Sequence, residues 1–294
     1  MSQRNKGILC ILLAALCFSV MNICVKSAGD LPFIQKSFFR NLIAMLFAVS
    51  ILVKEHASFK WKKGNLGLLL LRSTCGFLGV LGNFYAVDHL VVADASMLNK
   101  MSPFFGIVFS AILLKERCSK KQALAVVTAF VGGLFVIKPT FQNMDIVASL
   151  AGFGGGMAAG LAYTMVRALG KRKENGAYIV FFFSTFSVVV TIPYMVLNYE
   201  TMTLAQLAWL LGAGFAAAGG QFAITNAYCF APAKEISIYD YSQIIFSAIL
   251  GFLFFGQIPD GYSVIGYCVI ISMAVYIFLY NKRVAEVQAV ERRA

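Results

Sequence analysis

Residues 92–116 read VADASMLNKMSPFFGIVFSAILLKE. The run is long and apolar enough to cross a bilayer as one helix, since about 20 residues span the hydrocarbon core. Two residues break its pattern. Lys100 stands near the middle, where an unpaired charge costs about 2.5–3.5 kcal/mol on an insertion scale. Pro103 follows within a turn and removes a backbone hydrogen bond at a depth where no water replaces it. A helix carrying both is expected to face a protein-lined cavity rather than lipid, and to be kinked at Pro103.

The chain around this stretch is of one kind. Of its 294 residues, 60% are hydrophobic and 13% charged, and its mean hydropathy is +0.78. A soluble domain is nearer half apolar and a quarter charged. The expected class is an all-α integral membrane protein. Apolar runs fall at about 7–27, 31–53, 65–86, 92–114, 119–137, 147–168, 176–197, 205–228, 233–255 and 260–281, numbered here as spans 1 to 10. The first run continues past Val20 without a small-residue cleavage site, so it reads as a retained helix rather than a signal peptide.

The net charge of +12 does not point to nucleic acid. Its cations cluster between alternate spans: Lys54, Lys60, Lys62 and Lys63; Lys115, Arg117, Lys120 and Lys121; Lys171, Arg172 and Lys173; then Lys282, Arg283, Arg292 and Arg293. The opposite loops carry Asp30, Asp88, Asp145, Glu200 and Asp260, with Lys138 as the exception. By the positive-inside rule both termini face the cytoplasm. The seven cysteines lack CxxC spacing and histidine partners, so no metal or disulfide framework is expected. Cys10, Cys17 and Cys24, seven apart, read as a packing stripe.

The halves repeat at a shift of about 141. Val25-Lys26 falls on Val166-Arg167, Gly79 on Gly220, Ala86 on Ala227, Ser96 on Ser237 and Phe105 on Phe246. Five spans per half force the second copy to enter from the other side, giving two inverted five-helix repeats, 1–140 and 141–281, and a polar tail, 282–294. Inverted repeats are characteristic of secondary transporters with a site near the midplane.

The intramembrane polar residues mark that site. Lys26 and Lys36 are shallow enough to snorkel; Arg40 is about nine residues into span 2. On span 3, Arg72, Gly76, Gly79 and Asn83 form one stripe. Span 4 offers Ser96, Asn99, Lys100 and Ser102, and span 8 offers Gln221 and Thr225. Span 6 carries Gly152, Gly156 and Gly160, a packing series, then Tyr163. On span 9, the counterpart of span 4, Tyr241 takes the lysine position and Asp240 that of Asn99, beside Tyr239 and Gln243. Asp94 and Glu235 lie near helix starts, where the macrodipole suits them. With Asp240 paired, two cations stay unmatched, which suits an anionic or zwitterionic organic solute. The expected contacts are Arg40, Arg72, Asn83, Tyr85, Asn99, Lys100, Gln221, Tyr239, Asp240, Tyr241 and Gln243, with the anionic end towards Lys100 and Arg72. The two histidines, His56 and His89, lie in loops, so no histidine-based catalytic set is available. No P-loop is present either. No enzyme, cofactor or metal is expected.

Over essentially its whole length the chain resembles the EamA family of the drug/metabolite transporter superfamily. The residues that carry the likeness are SFFRNLIAML with Arg40, LRSTCGFLGVLGNFYA in span 3, and the proline, apolar run and glutamate of Pro103 to Glu116. The second half departs, with Ile244 and Gln257 where the family has proline and glutamate, which implies a straighter span 9. The resemblance implies alternating access, a cavity lined by spans 1, 3, 4, 6, 8 and 9, and peripheral spans 5 and 10. The leading expectation is a secondary transporter of a small organic anion or zwitterion in a bacterial-type inner membrane. The alternatives are a proton-coupled exporter of cationic or aromatic compounds organised by Asp240, and a non-transport membrane enzyme or assembly subunit. Expected partners are the solute and the bilayer, with the driving partner open between a proton and a counter-substrate. The state is open between monomer and homodimer.

The charge pattern makes one topological prediction. Alkaline phosphatase fused after Tyr199 should be active, and the same reporter fused after Lys173 should be silent.

Overall fold

The structure is a computed structural model that describes residues 3–115, 119–137, 145–230 and 237–291. Glu116, Arg117, Lys138, Lys234, Glu235, Arg292 and Arg293 lie outside it, as does the side chain of Thr225. Every regular element among the described residues is a helix, without a strand. Spans 1 to 3 are Gln3–Ser27, Phe33–Lys54 and Leu66–His89. Span 4 is two helices, Val92–Asn99 and Ser102–Leu113. Spans 5 to 8 are Lys120–Ile137, Ile146–Lys171, Gly176–Leu197 and Leu204–Phe230. Span 9 is a 3-10 turn, Ser237–Tyr241, running into helix Ser242–Phe255, and span 10 is Gly261–Glu291. Among the described residues nine helices have the length and apolarity to cross a membrane, and Tyr239–Phe255 is a shorter apolar one. The chain is an all-α membrane protein.

Local chemistry explains where several spans start and stop. Span 5 begins with a capping box: Gln122 N–H donates to Ser119 Oγ (3.2 Å) and Ser119 N–H to Gln122 Oε1 (2.9 Å). Thr203 and Gln206 repeat the device ahead of span 8. Asn175 accepts from the backbone of Ala177 and Tyr178 at the start of span 7. Gly256, at φ 63°, closes span 9 in the left-handed conformation that glycine adopts freely.

The spans pair in a regular way. Span 1 lies against span 8 and span 3 against span 6; spans 2 and 7, 4 and 9, and 5 and 10 pair with each other. Span 1 also meets span 9, as span 6 meets span 4. Exchanging each span for the one five later maps this set of neighbours onto itself.

Small residues set the closest approaches. A Cβ on Gly82 would stand 2.5 Å from the Ala151 carbonyl oxygen, and one on Gly155 would stand 3.1 Å from that of Gly79. Span 6 packs Gly152 on Ala86 and Leu98, Gly156 on Leu98 and Asn99, and Gly160 on Ser102 and Phe105. Across the other pair, Cys17 and Cys24 abut Gly219 and Gly212. The cysteine stripe is therefore a helix-packing surface.

Five details differ from expectation. Pro103 sits in the first turn of the second half of span 4, where its missing N–H breaks no bond, and the break itself is at Lys100–Met101. Span 9 is not straighter for lacking proline: its polar run YDYSQ makes tertiary bonds that hold a 3-10 turn instead. Lys26 does not reach for water; its Nζ donates to the Val87 and Leu90 carbonyls at 2.9 and 2.6 Å, satisfying orphan acceptors at the end of span 3. Lys36 does not snorkel either, being fully buried against Asp88 Oδ1 at 2.6 Å. Asp94 does lie in the first turn of span 4 as expected, and it is also buried and accepts a hydrogen bond from Tyr267 of span 10. Span 10 itself continues as helix through Lys282 and Arg283 to Glu291, into what reads as a separate tail.

A bulky side chain at the interface of spans 3 and 6 should not fit. Gly82→Leu is expected to cost about 1–3 kcal/mol by overpacking, seen as a lowered melting temperature in detergent. Gly154→Ala, which meets nothing within 4 Å, should leave it unchanged.

Candidate functional site

The broken spans 4 and 9 cross at the ends of their first segments. Lys100 terminates Val92–Asn99, and its Nζ lies 2.6 Å from Asp240 Oδ2 in the 3-10 turn of span 9. Tyr241 Oη donates to the Lys100 carbonyl at 3.3 Å. A helix break frees a carbonyl in a place without water, and here a side chain from the other half satisfies it. Lys100 and Tyr241 are also the residues that the 141 shift superposes.

Beside this crossing is a cavity of about 100 Å³. Span 1 contributes Phe18, Met21 and Asn22, span 2 Arg40, and span 3 the stripe Arg72, Gly76, Gly79 and Asn83. Asn99, Lys100, Tyr163, Phe183, Gln221 and Gln243 complete its polar and aromatic wall. The volume is below the several hundred Å³ usual for ligand pockets, so a metabolite-sized solute requires the walls to part.

Two arginines define the electrostatics. Arg72 is buried, and its guanidinium carbon lies 3.9 Å from the Phe183 ring centroid; that of Arg40 lies 5.8 Å from the same centroid. Gly76 opens the slot: a Cβ there would collide with Arg72 Nη1 and come within 3.1 Å of Phe183. Arg40 is steered by Asn41, whose Oδ1 accepts from Nη1 at 2.7 Å while its Nδ2 donates to Ser37 O at 2.8 Å. Arg40 Nε and Arg72 Nε and Nη1 are buried without a hydrogen-bond acceptor. Among the described residues no carboxylate pairs with either guanidinium.

A buried chain of neutral groups runs from the cavity into the span crossing. Asn83 Nδ2 donates to Asn22 Oδ1 and Asn22 Nδ2 to Ser96 Oγ, each at 3.2 Å. The Ser96 and Ser247 hydroxyls meet at 2.8 Å, and Ser247 and Ser19 at 3.1 Å. Ser19 also donates to the Gln243 carbonyl at 3.0 Å. Gln257 reaches back across the halves, accepting from Val92 N–H at 3.1 Å and capping span 4.

Seven of the expected contacts therefore line one cavity: Arg40, Arg72, Asn83, Asn99, Lys100, Gln221 and Gln243. Four do not. Tyr85 packs on Phe33 and His89 near the end of span 3. Tyr239 packs beside Ile11 and Ala227. Asp240 and Tyr241 stand behind the wall, engaged with Lys100. Lys100 is thereby neutralised, and among the described residues of the cavity wall the unmatched charges are those of Arg40 and Arg72. Phe183 and Asn41 carried no signal in sequence: the first sits in the apolar run FFFSTF, the second follows an arginine in an ordinary helix.

A sequence profile of the EamA-like transporter family matches residues 5–138. The pseudopaline exporter CntI of Pseudomonas aeruginosa is 33% identical over 264 residues, covering 89% of this chain and 92% of that one. The chain belongs to the EamA-like transporter family. Human solute carrier family 35 member G1 is 27% identical over 281 residues, covering 90% of this chain and 77% of that one. A solved crystal structure shares the fold at TM-score 0.67 and 14% identity, covering 95% of this chain and 99% of that one. Like its EamA relatives the protein is a membrane transporter and not an enzyme.

The Lys100–Asp240 pair makes a stability prediction. Lys100→Ala should strand Asp240 in the interior and cost about 3–5 kcal/mol, and Asp240→Asn should be similarly harmful. Replacing both at once should cost less than the sum of the two, as read by thermal unfolding in detergent.

Proposed function

We propose that this EamA protein is a secondary transporter that moves a small organic anion or zwitterion by alternating access through its basic central cavity. The observation that carries the reading is the pair of buried guanidiniums, Arg40 and Arg72, with unpartnered N–H groups at a cavity. A planar guanidinium holds a carboxylate or phosphate bidentately, and two uncompensated cations at membrane depth are costly unless a ligand or water neutralises them. Asn83, Asn99, Gln221 and Gln243 supply hydrogen bonds to the body of the solute. Asn83 Oδ1 is itself without a donor.

The exchange symmetry of the span neighbours supports two inverted five-helix repeats, 1–140 and 141–281, as the units that rock about the site. Placement in a bacterial-type inner membrane with cytoplasmic termini rests on the lysine and arginine distribution. The name of the Pseudomonas relative makes export the direction to measure first, and pseudopaline a first candidate solute. A cation site organised by Asp240 has less support, because Lys100 neutralises that carboxylate.

Transport into and out of proteoliposomes tests the reading. Arg72→Ala and Arg40→Ala should each lower the rate for an organic anion at least tenfold at equal protein content. If both carried anions at the wild-type rate, the cationic cavity would have no part in transport.

A further inference from the structure

The charge ledger of the cavity narrows the solute further, given the anion reading above. Lys100 and Asp240 neutralise one another at 2.6 Å. The other buried ion pair among the described residues, Lys36–Asp88, is likewise self-balanced, and neither partner lines the cavity. The buried acid Asp94 is bonded to Tyr267 of span 10 and does not line it either. Arg40 is contacted by a neutral amide, and Phe183 offers both guanidiniums only the negative face of a ring. Cation–π attraction is worth about 2 kcal/mol when desolvated, too little to replace a counter-ion. Among the described residues the wall therefore holds two positive charges without a matching protein charge.

A zwitterion pairs one arginine but brings its own cation and leaves the net charge at two, and a monoanion leaves one. We infer that the cavity is built for a compact dianion, carried either by one phosphate ester or by two carboxylates a few carbons apart. Both guanidinium carbons lie within 6 Å of one ring centroid and both arginines line one cavity, so a solute seated beside Phe183 is within reach of both. Gly76 and Phe183 are positioning residues in this scheme: together they hold Arg72 over the ring with Nε and Nη1 free of protein acceptors. Asn83 Oδ1 then accepts from a hydroxyl or amide of the same solute.

Binding to the purified full chain in nanodiscs of zwitterionic lipid tests this. The probes are succinate, glutarate and glycerol phosphate, against the size-matched monoanions succinamate and butyrate and the zwitterion glutamine. Each is read by thermal shift and direct titration. Dianions should bind at least tenfold more tightly than matched monoanions. Arg40→Gln and Arg72→Gln should each bring that ratio close to one, and Gly76→Val should weaken dianion binding. A preference for the dicarboxylates or for the phosphate ester identifies which group carries the charge, and either supports the inference. If succinamate or glutamine bound as tightly as succinate in the wild type, the dianion would be wrong while the anion site stood. If no anion bound or stabilised the protein, both readings would fall. The wild-type ratio decides the matter even where a variant does not fold.

Discussion

An ion pair between Lys100 and Asp240 ties the two broken spans together at membrane depth. Each charge alone is costly there; together they are tolerated, and they bring the ends of two discontinuous helices into one place. The pairing settles which parts of spans 4 and 9 lie side by side. Tyr241 completes it by bonding the carbonyl that the break exposes. The neutral chain from Asn83 through Asn22 and Ser96 to Ser247 continues the contact toward Ser19. Buried polar networks of this kind specify one arrangement because an unmatched group in hydrocarbon has nothing to turn to.

Arg40 and Arg72 are the opposite case. Their burial without an acid among the described residues runs against the rule that intramembrane charges pair with one another. The surrounding structure over-determines their positions through Phe183, Gly76, Asn41 and Ser37. Local conflicts with folding preference are expected where a site waits for its ligand. Lys100 and Asp240 keep the scaffold together, and the arginines hold the charge that is left over.

Close helix approach makes room for both. The glycines of spans 3 and 6 let backbones touch at Gly79, Gly82 and Gly155, and the same spans present Arg72, Asn83 and Tyr163 to the cavity. Without a hydrophobic force between helices in lipid, such packing carries much of the association energy. Residues that look like two separate features, a glycine stripe and a polar stripe, are two edges of one surface.

The spans and the cations of their loops were legible in sequence, because hydropathy over about 20 residues is a property of contiguous chain. So was the roster of costly polar residues: seven of the eleven candidates line one cavity. What sequence could not decide was which charge cancels which. Lys100 and Asp240 are 140 positions apart, and Lys36 and Asp88 are 52 apart, so pairing depends on how helices rotate and cross. The same holds for Phe183, an unremarkable member of an apolar run until folding sets it beneath Arg72. The sequence alone determined that excess positive charge sits inside a helical membrane protein. The tertiary structure decided that, among the described residues of the cavity, the excess belongs to Arg40 and Arg72, because only packing brings Asp240 to Lys100 and leaves the arginines without a described acid.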